Sequence, residues 1–225
     1  MVTGDRRVRI ITGFYGSGKS EFALNYALAL AKEQKQVAFA DLDVVNTYFR
    51  SRQQKKLLLE QGLRVFSSSL EDSNTDLPAL SPNIMGPLQD KRWQYVIDLG
   101  GSTAGMLALG WLKPYLVSGE IDYFLVVNFN RPETYNVSSV LALVAQLENY
   151  GSCKITGLIN NTNLLKESTV ENLLWGQAML LKASEASGIP LKYTAVWEDL
   201  QQRLPQEKIV GQILPLKLYL RLEWM

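Results

Sequence analysis

The chain contains no histidine and a single cysteine, Cys153, among its 225 residues. An internal disulfide is therefore impossible, and zinc sites built from Cys and His lack their ligands. Neither a Ser-His nor a Cys-His nucleophile can be assembled. An excess of one charge is missing too: 23 basic against 22 acidic residues leave a formal net charge of +1. Composition thus carries no electrostatic footprint for nucleic acid. Long apolar runs are also absent. The longest, Gly105 to Val117, is interrupted by Lys113 and Pro114 and is too short to span a bilayer. Met1 to Arg9 is polar and charged, without the apolar core of a signal peptide. The expectation is a soluble, cytoplasmic protein. Its hydrophobic fraction of 47% is enough to build the core of a single domain over residues 1–225, with a C-terminal tail from about 205.

Apolar segments of strand character alternate with helical patterns along the chain. Strands are expected at Val8–Thr12, Val37–Ala40, Arg64–Ser67, Tyr95–Leu99, Tyr123–Asn128, Ile155–Asn160 and Lys192–Val196. Helices are expected at Glu21–Lys32, Phe49–Gln61, Thr103–Val117, Thr134–Glu148 and Ser168–Ser187. Several strands are apolar on consecutive residues, as parallel strands buried on both faces are. Repeated β-α units predict an α/β fold: a doubly wound, mostly parallel sheet of about seven strands with helices on both faces. The stretch Ser67–Pro87, rich in Ser, Asp, Asn and Pro, reads as a loop able to act as a lid or meet a partner.

Between the first strand and the first helix stands Gly13-Phe14-Tyr15-Gly16-Ser17-Gly18-Lys19-Ser20, which satisfies G-x-x-x-x-G-K-[ST] at every fixed position. Glycines at Gly13, Gly16 and Gly18 let successive backbone amides turn toward one anion. The helix that follows points its positive end at the same place. Lys19 is the residue for the β- and γ-phosphates, and the Ser20 hydroxyl is the residue for Mg²⁺. Tyr15, Ser17 and Glu21 complete the candidate nucleotide-binding set within this segment. The bound group is expected to be a nucleoside triphosphate.

In a doubly wound sheet the ligand sits off the carboxyl ends of the strands. After the second strand comes Asp41-Leu42-Asp43, two carboxylates at i and i+2 on one face. One could serve the metal and the other orient or deprotonate an attacking water. The fourth strand ends in Asp98-Leu99-Gly100-Gly101. A carboxylate at that place belongs to the magnesium shell, and Gly101 can bring a backbone amide to the γ-phosphate. After the sixth strand comes Asn160-Asn161-Thr162-Asn163. Asn160 is a candidate for the purine edge. Asn163 stands where GTPases of this topology carry an aspartate for guanine, which favours ATP.

With these runs in this order, the chain resembles the MinD/ParA/CobQ-type P-loop ATPases (SIMIBI class) from Ile10 to about Val196. It looks most similar to uncharacterised bacterial ATP-binding proteins of that group. The resemblance implies a Mg²⁺-dependent ATPase acting as a switch on a protein partner, with ATP-controlled homodimerisation. It places Asp41 near the magnesium and has Asp43 position the attacking water. MinD and ParA proteins also carry a second lysine in the P-loop, and here that position is Phe14. Arg50, Arg52 and Arg131 are candidate substitutes. Relatives of CobQ and dethiobiotin-synthetase type suggest the alternative of a small-molecule kinase or ligase, and Phe14 that of a non-hydrolysing nucleotide-binding module. The segment Ile209–Met225, with Pro215 near its middle, reads as a tail packed on the domain or on a partner rather than as a membrane-binding helix.

Overall fold

All seven expected strands form, together with an eighth, and they join in one parallel sheet of order β3-β2-β4-β1-β5-β6-β7-β8. The computed structural model describes residues 4–43, 52–67, 82–151 and 153–220. The strands are β1 (Val8–Thr12), β2 (Val37–Asp41), β3 (Arg64–Ser67), β4 (Gln94–Asp98), β5 (Ile121–Val127), β6 (Gly157–Asn160), β7 (Leu191–Trp197) and β8 (Gln212–Leu216). The helices are α1 (Lys19–Glu33), α2 (Arg52–Glu60), α3 (Gly86–Gln89), α4 (Thr103–Leu112), α5 (Val137–Gly151), α6 (Val170–Ser187) and α7 (Glu198–Gln201). Helix α4 stops before the expected Val117, because Pro114 ends it and a 3₁₀ turn, Lys113–Tyr115, follows. Among the described residues no helix is long and apolar enough to cross a membrane.

The missed strand, β8, contains Pro215, which argues against a central strand. It lies at the edge of the sheet, paired on one side only with β7, and there a residue without an amide hydrogen is tolerated. The expected lid Ser67–Pro87 lies outside the described residues from 68 to 81; its end forms a 3₁₀ turn, Pro82–Met85, that leads into α3.

Consecutive apolar residues on the strands feed two cores. On one face, Val8, Ile10, Tyr95, Ile97 and Leu125 pack with Met106, Leu109 and Val140 from α4 and α5. On the other, Ile11, Phe39, Val96, Phe124 and Val126 pack with Phe22, Leu24 and Leu30 of α1. Eleven of the fifteen residues of α1 are buried, because this helix has the sheet on one side and the segment after β8 on another. Phe22, Tyr26, Phe124 and Tyr193 meet in tilted and edge-on pairs 5.7–5.9 Å apart, each favourable by about 1 kcal/mol beyond area burial. The carboxyl ends of β1, β2 and β4 are thus set rigidly under the start of α1.

Candidate nucleotide site

The loop Gly13–Gly18 follows β1 and takes its shape from two left-handed glycines, Gly16 (φ 76°) and Gly18 (φ 82°), a conformation that side chains rarely adopt. Gly18 is the N-cap of α1, and no side chain caps the helix. Helix starts without a side-chain cap are the ones that suit an anion. Neighbours hold the loop from outside. The Asn161 amide donates to the Ser17 carbonyl at 2.7 Å, and Arg131 Nε donates to the Gly16 carbonyl at 2.9 Å. Gly13 and Gly18 are close-approach positions as well: a Cβ would meet the Val126 carbonyl at 2.7 Å from the first and the Asn161 amide at 2.2 Å from the second.

Three carboxylates converge beneath Lys19. Asp41 and Asp98 end adjacent parallel strands in register with each other, so both side chains leave the sheet on the α1 side, about 5 Å apart in the hydrogen-bonding direction. Asp43 accepts a short ion-paired hydrogen bond from Lys19, and its amide donates to Asp41 Oδ1 at 3.1 Å. Lys19 Nζ also reaches the Ser20 hydroxyl at 3.3 Å. All of these side chains are buried, Asp98 completely. Neither Asp98 oxygen makes a hydrogen bond of standard geometry, the Ser20 hydroxyl offering only a marginal one.

The electrostatics follow from that burial. Desolvation, then repulsion from Asp98, pushes the Asp41 carboxyl well above the usual carboxylate range. Desolvation also raises Asp98, although the Lys19 ammonium opposes it. For Lys19 burial works against the charge, but attraction from Asp98, Asp43 and Asp41 outweighs it and holds the ammonium above its ordinary value. Among the described residues, Lys19 is the cation that faces these three acids.

The segment after β4 closes over the loop. A Cβ on Gly101 would stand 2.3 Å from the Gly13 carbonyl oxygen and 3.2 Å from the Phe14 amide, and one on Gly100 would stand 2.7 Å from Asp43 Oδ1. Only glycines fit there. Phe14 turns against the core, whereas Tyr15 is 68% exposed.

From Gly16 and Gly18 a cleft runs across the carboxyl ends of β6, β7 and β8. Asn161, Thr162 and Asn163 form one side; Trp197, Leu200, Leu216 and Leu218 form the other. Asn160 is not in it. Contrary to expectation, it is fully buried, its amide donating to the Leu173 carbonyl at 3.1 Å and accepting from the Thr162 amide at 3.2 Å. Its place at the cleft is taken by Asn161, the next residue, on the opposite face of the chain. Asn163 donates to the Asn161 carbonyl at 2.6 Å and accepts from the Leu165 amide at 3.2 Å, which fixes the loop around it.

Glu21 takes a different position from the one its place in the motif suggests. Its carboxylate accepts from the backbone amides of Tyr219 (2.6 Å) and Leu220 (3.2 Å). One turn on, Asn25 pairs with both the amide and the carbonyl of Lys217 at 2.9 Å. The P-loop helix thereby clamps the segment that supplies Leu216 and Leu218 to the cleft. Asn25→Ala is expected to lower the free energy of unfolding by about 1–3 kcal/mol, since both backbone groups of Lys217 lose their partner. Urea unfolding measures it; a change below a few tenths would mean that the clamp contributes nothing. Of the three candidate arginines, Arg131 is placed at the loop. Arg50 lies outside the described residues, and of Arg52 only the backbone is described.

No family model matches the chain, and no curated protein does. Solved structures do. The cell division protein FtsY of Thermotoga maritima aligns with a TM-score of 0.55 at 21% identity, over 84% of this chain and 61% of that one. Chloroplast FtsY of Physcomitrella patens gives 0.54 at 17% identity, over 83% and 57%. The signal recognition particle receptor FtsY of Elizabethkingia anophelis, in complex with GDP, gives 0.54 at 16% identity, over 86% and 58%. The chain spans about three fifths of the length of these proteins. At such identities the likeness is one of fold, that of a nucleotide-binding P-loop NTPase.

Proposed function

We propose that this protein is a Mg²⁺-dependent ATP-binding protein that hydrolyses ATP and uses the nucleotide as a switch on a partner. The observation that carries the reading is the placement of Lys19 and an uncapped helix start above Asp41, Asp43 and Asp98. Loop amides and Lys19 bind phosphate oxygens. Asp43 shares the Lys19 ammonium with those oxygens, which sets its carboxylate beside them to orient a water and accept its proton. Gly101, wedged against Gly13, is the segment that reports the γ-phosphate to α4.

The residues fit a magnesium ion. Two buried Asp98 oxygens lack standard hydrogen bonds, and the Ser20 hydroxyl stands beside Lys19 at the same point. Ser20 and Asp98 would hold it, with Asp41 nearby. Among the described residues no three acidic, His or Cys side chains are grouped to bind a metal by themselves. That suits an ion whose shell is completed by phosphates and water. When bound, Mg²⁺ neutralises charge developing on the phosphates.

ATP is favoured over GTP by the cleft. Guanine asks for a carboxylate that accepts two hydrogen bonds. The only acid lining the cleft among the described residues is Glu21, which is engaged with Tyr219 and Leu220.

Phosphate release from ATP and from GTP with Mg²⁺, measured across protein concentration, tests the reading. ATP-selective release that disappears in Asp43→Asn is the expected result, and release that rises faster than protein concentration identifies a second copy as the partner. Release only with an added metabolite would instead make the protein a kinase or ligase, and tight binding without turnover would make it a binding module.

A further inference from the structure

A second cation stands at the P-loop besides Lys19: Arg131, against the Gly16 carbonyl. Lys19 already faces three carboxylates. Of the described residues lining the cleft, Arg131 carries the one positive charge. It pairs with no carboxylate among them, and among the described residues the one hydrogen bond of its guanidinium is from Nε to the Gly16 carbonyl. Nη1 and Nη2, the forked end that matches phosphate oxygens, are left over.

This arginine is also held in place. The turn that carries it after β5 is built around Asn128 and Thr134, both 1% exposed. The Arg131 amide donates to the Asn128 carbonyl at 3.2 Å, and Asn128 Oδ1 accepts from the Asn130 amide at 3.0 Å. The Thr134 hydroxyl donates to the Asn128 carbonyl at 2.6 Å, and Pro132 fixes the next φ. Asn130 ties the same turn to the segment after β6 through the Asn163 carbonyl at 3.1 Å. A surface arginine needs none of this support. On the Gly16 side, a Cβ would lie 3.2 Å from Arg131 Nε, so the guanidinium sits close against the loop.

We propose that Arg131 is a phosphate-binding residue supplied from within the chain: with Nε anchored on the Gly16 carbonyl, its two terminal nitrogens take non-bridging oxygens of the nucleotide's polyphosphate. The proposal rests on the nucleotide-binding reading above and extends it. It assigns the residue that selects polyphosphates over nucleosides without a cation from a second copy.

Calorimetric titration of wild type, Arg131→Gln and Arg131→Lys with ATP, inorganic triphosphate and adenosine tests it, at low and at high salt. For ATP and triphosphate, the Gln variant is expected to bind roughly 10–100-fold more weakly at low salt, the range of a charge-assisted pair. Adenosine binding stays unchanged. The Lys variant falls between, having the charge without the fork. The gap between wild type and the Gln variant narrows as salt rises, because a charge contact is screened. A gap that does not change with salt, or an equal loss for adenosine, would show that Arg131 only supports the loop and would overturn the proposal. So would wild-type affinity in the Gln variant. A wild type that binds neither ATP nor triphosphate would instead sink the nucleotide reading itself.

Discussion

Lys19→Ala is expected to abolish the proposed nucleotide turnover and, in a buffer with chelator and no nucleotide, also to destabilise the fold by about 3–5 kcal/mol at neutral pH. A P-loop lysine exposed to water would give the first effect without the second. Here the second arises because Lys19 is the ammonium set among Asp41, Asp43 and Asp98, all buried. Removing it takes away a charge that opposes their mutual repulsion in a site where water cannot replace it. The pH dependence has a definite sign. Asp41 and Asp98 have folded-state pKa values raised by desolvation, and losing the Lys19 attraction raises them further. A carboxyl with a raised folded pKa holds more protons in the native than in the unfolded state, so stability increases as pH falls toward the unfolded value. The deficit of Lys19→Ala against wild type therefore shrinks between pH 7 and pH 5. Urea unfolding at the two pH values measures it. A deficit that stays constant or grows on acidification would mean that the lost stability is packing rather than charge.

How much of this could be read from the residues depends on what each feature is made of. The P-loop was legible because it is a demand on backbone: glycines at 16 and 18 must be left-handed, and both are. Asp41 and Asp98 were legible because they end apolar strands. Their pairing across β2 and β4 needs the strand order, which only non-local contacts decide. Asn160 was misplaced by one residue, and in extended chain one residue changes the face: the cleft receives Asn161. Applied to β7, the rule that ligands lie past strand ends points to Trp197, which does line the cleft. Nothing local announces β8, because its proline is excused only by the edge position. Nor does the sequence pair Glu21 with Tyr219, since their contact spans 198 residues. Arg131 stood among three arginines until the fold put it 115 residues back against Gly16.

The same substitution at two glycines of one region should have opposite effects. Gly110 lies within α4 and is exposed, and a Cβ there meets nothing within 4 Å. Gly110→Ala therefore removes backbone entropy from the unfolded chain and stabilises by about 0.5–1 kcal/mol. Gly101 stands just before the same helix, with a Cβ position 2.3 Å from the Gly13 carbonyl oxygen and 2.7 Å from its carbon. Both obstacles are backbone and cannot rotate away. Either the P-loop or the start of α4 must move, at a cost of about 1–3 kcal/mol. The displacement falls on the loop proposed to bind phosphate, so ATP affinity should drop with it, whereas Gly110→Ala should leave affinity unchanged. Thermal unfolding and ATP titration of the two variants separate the cases. If Gly101→Ala bound ATP as the wild type does, the segment after β4 would not be coupled to the P-loop. The switch between nucleotide and α4 would then have to be sought elsewhere in the chain.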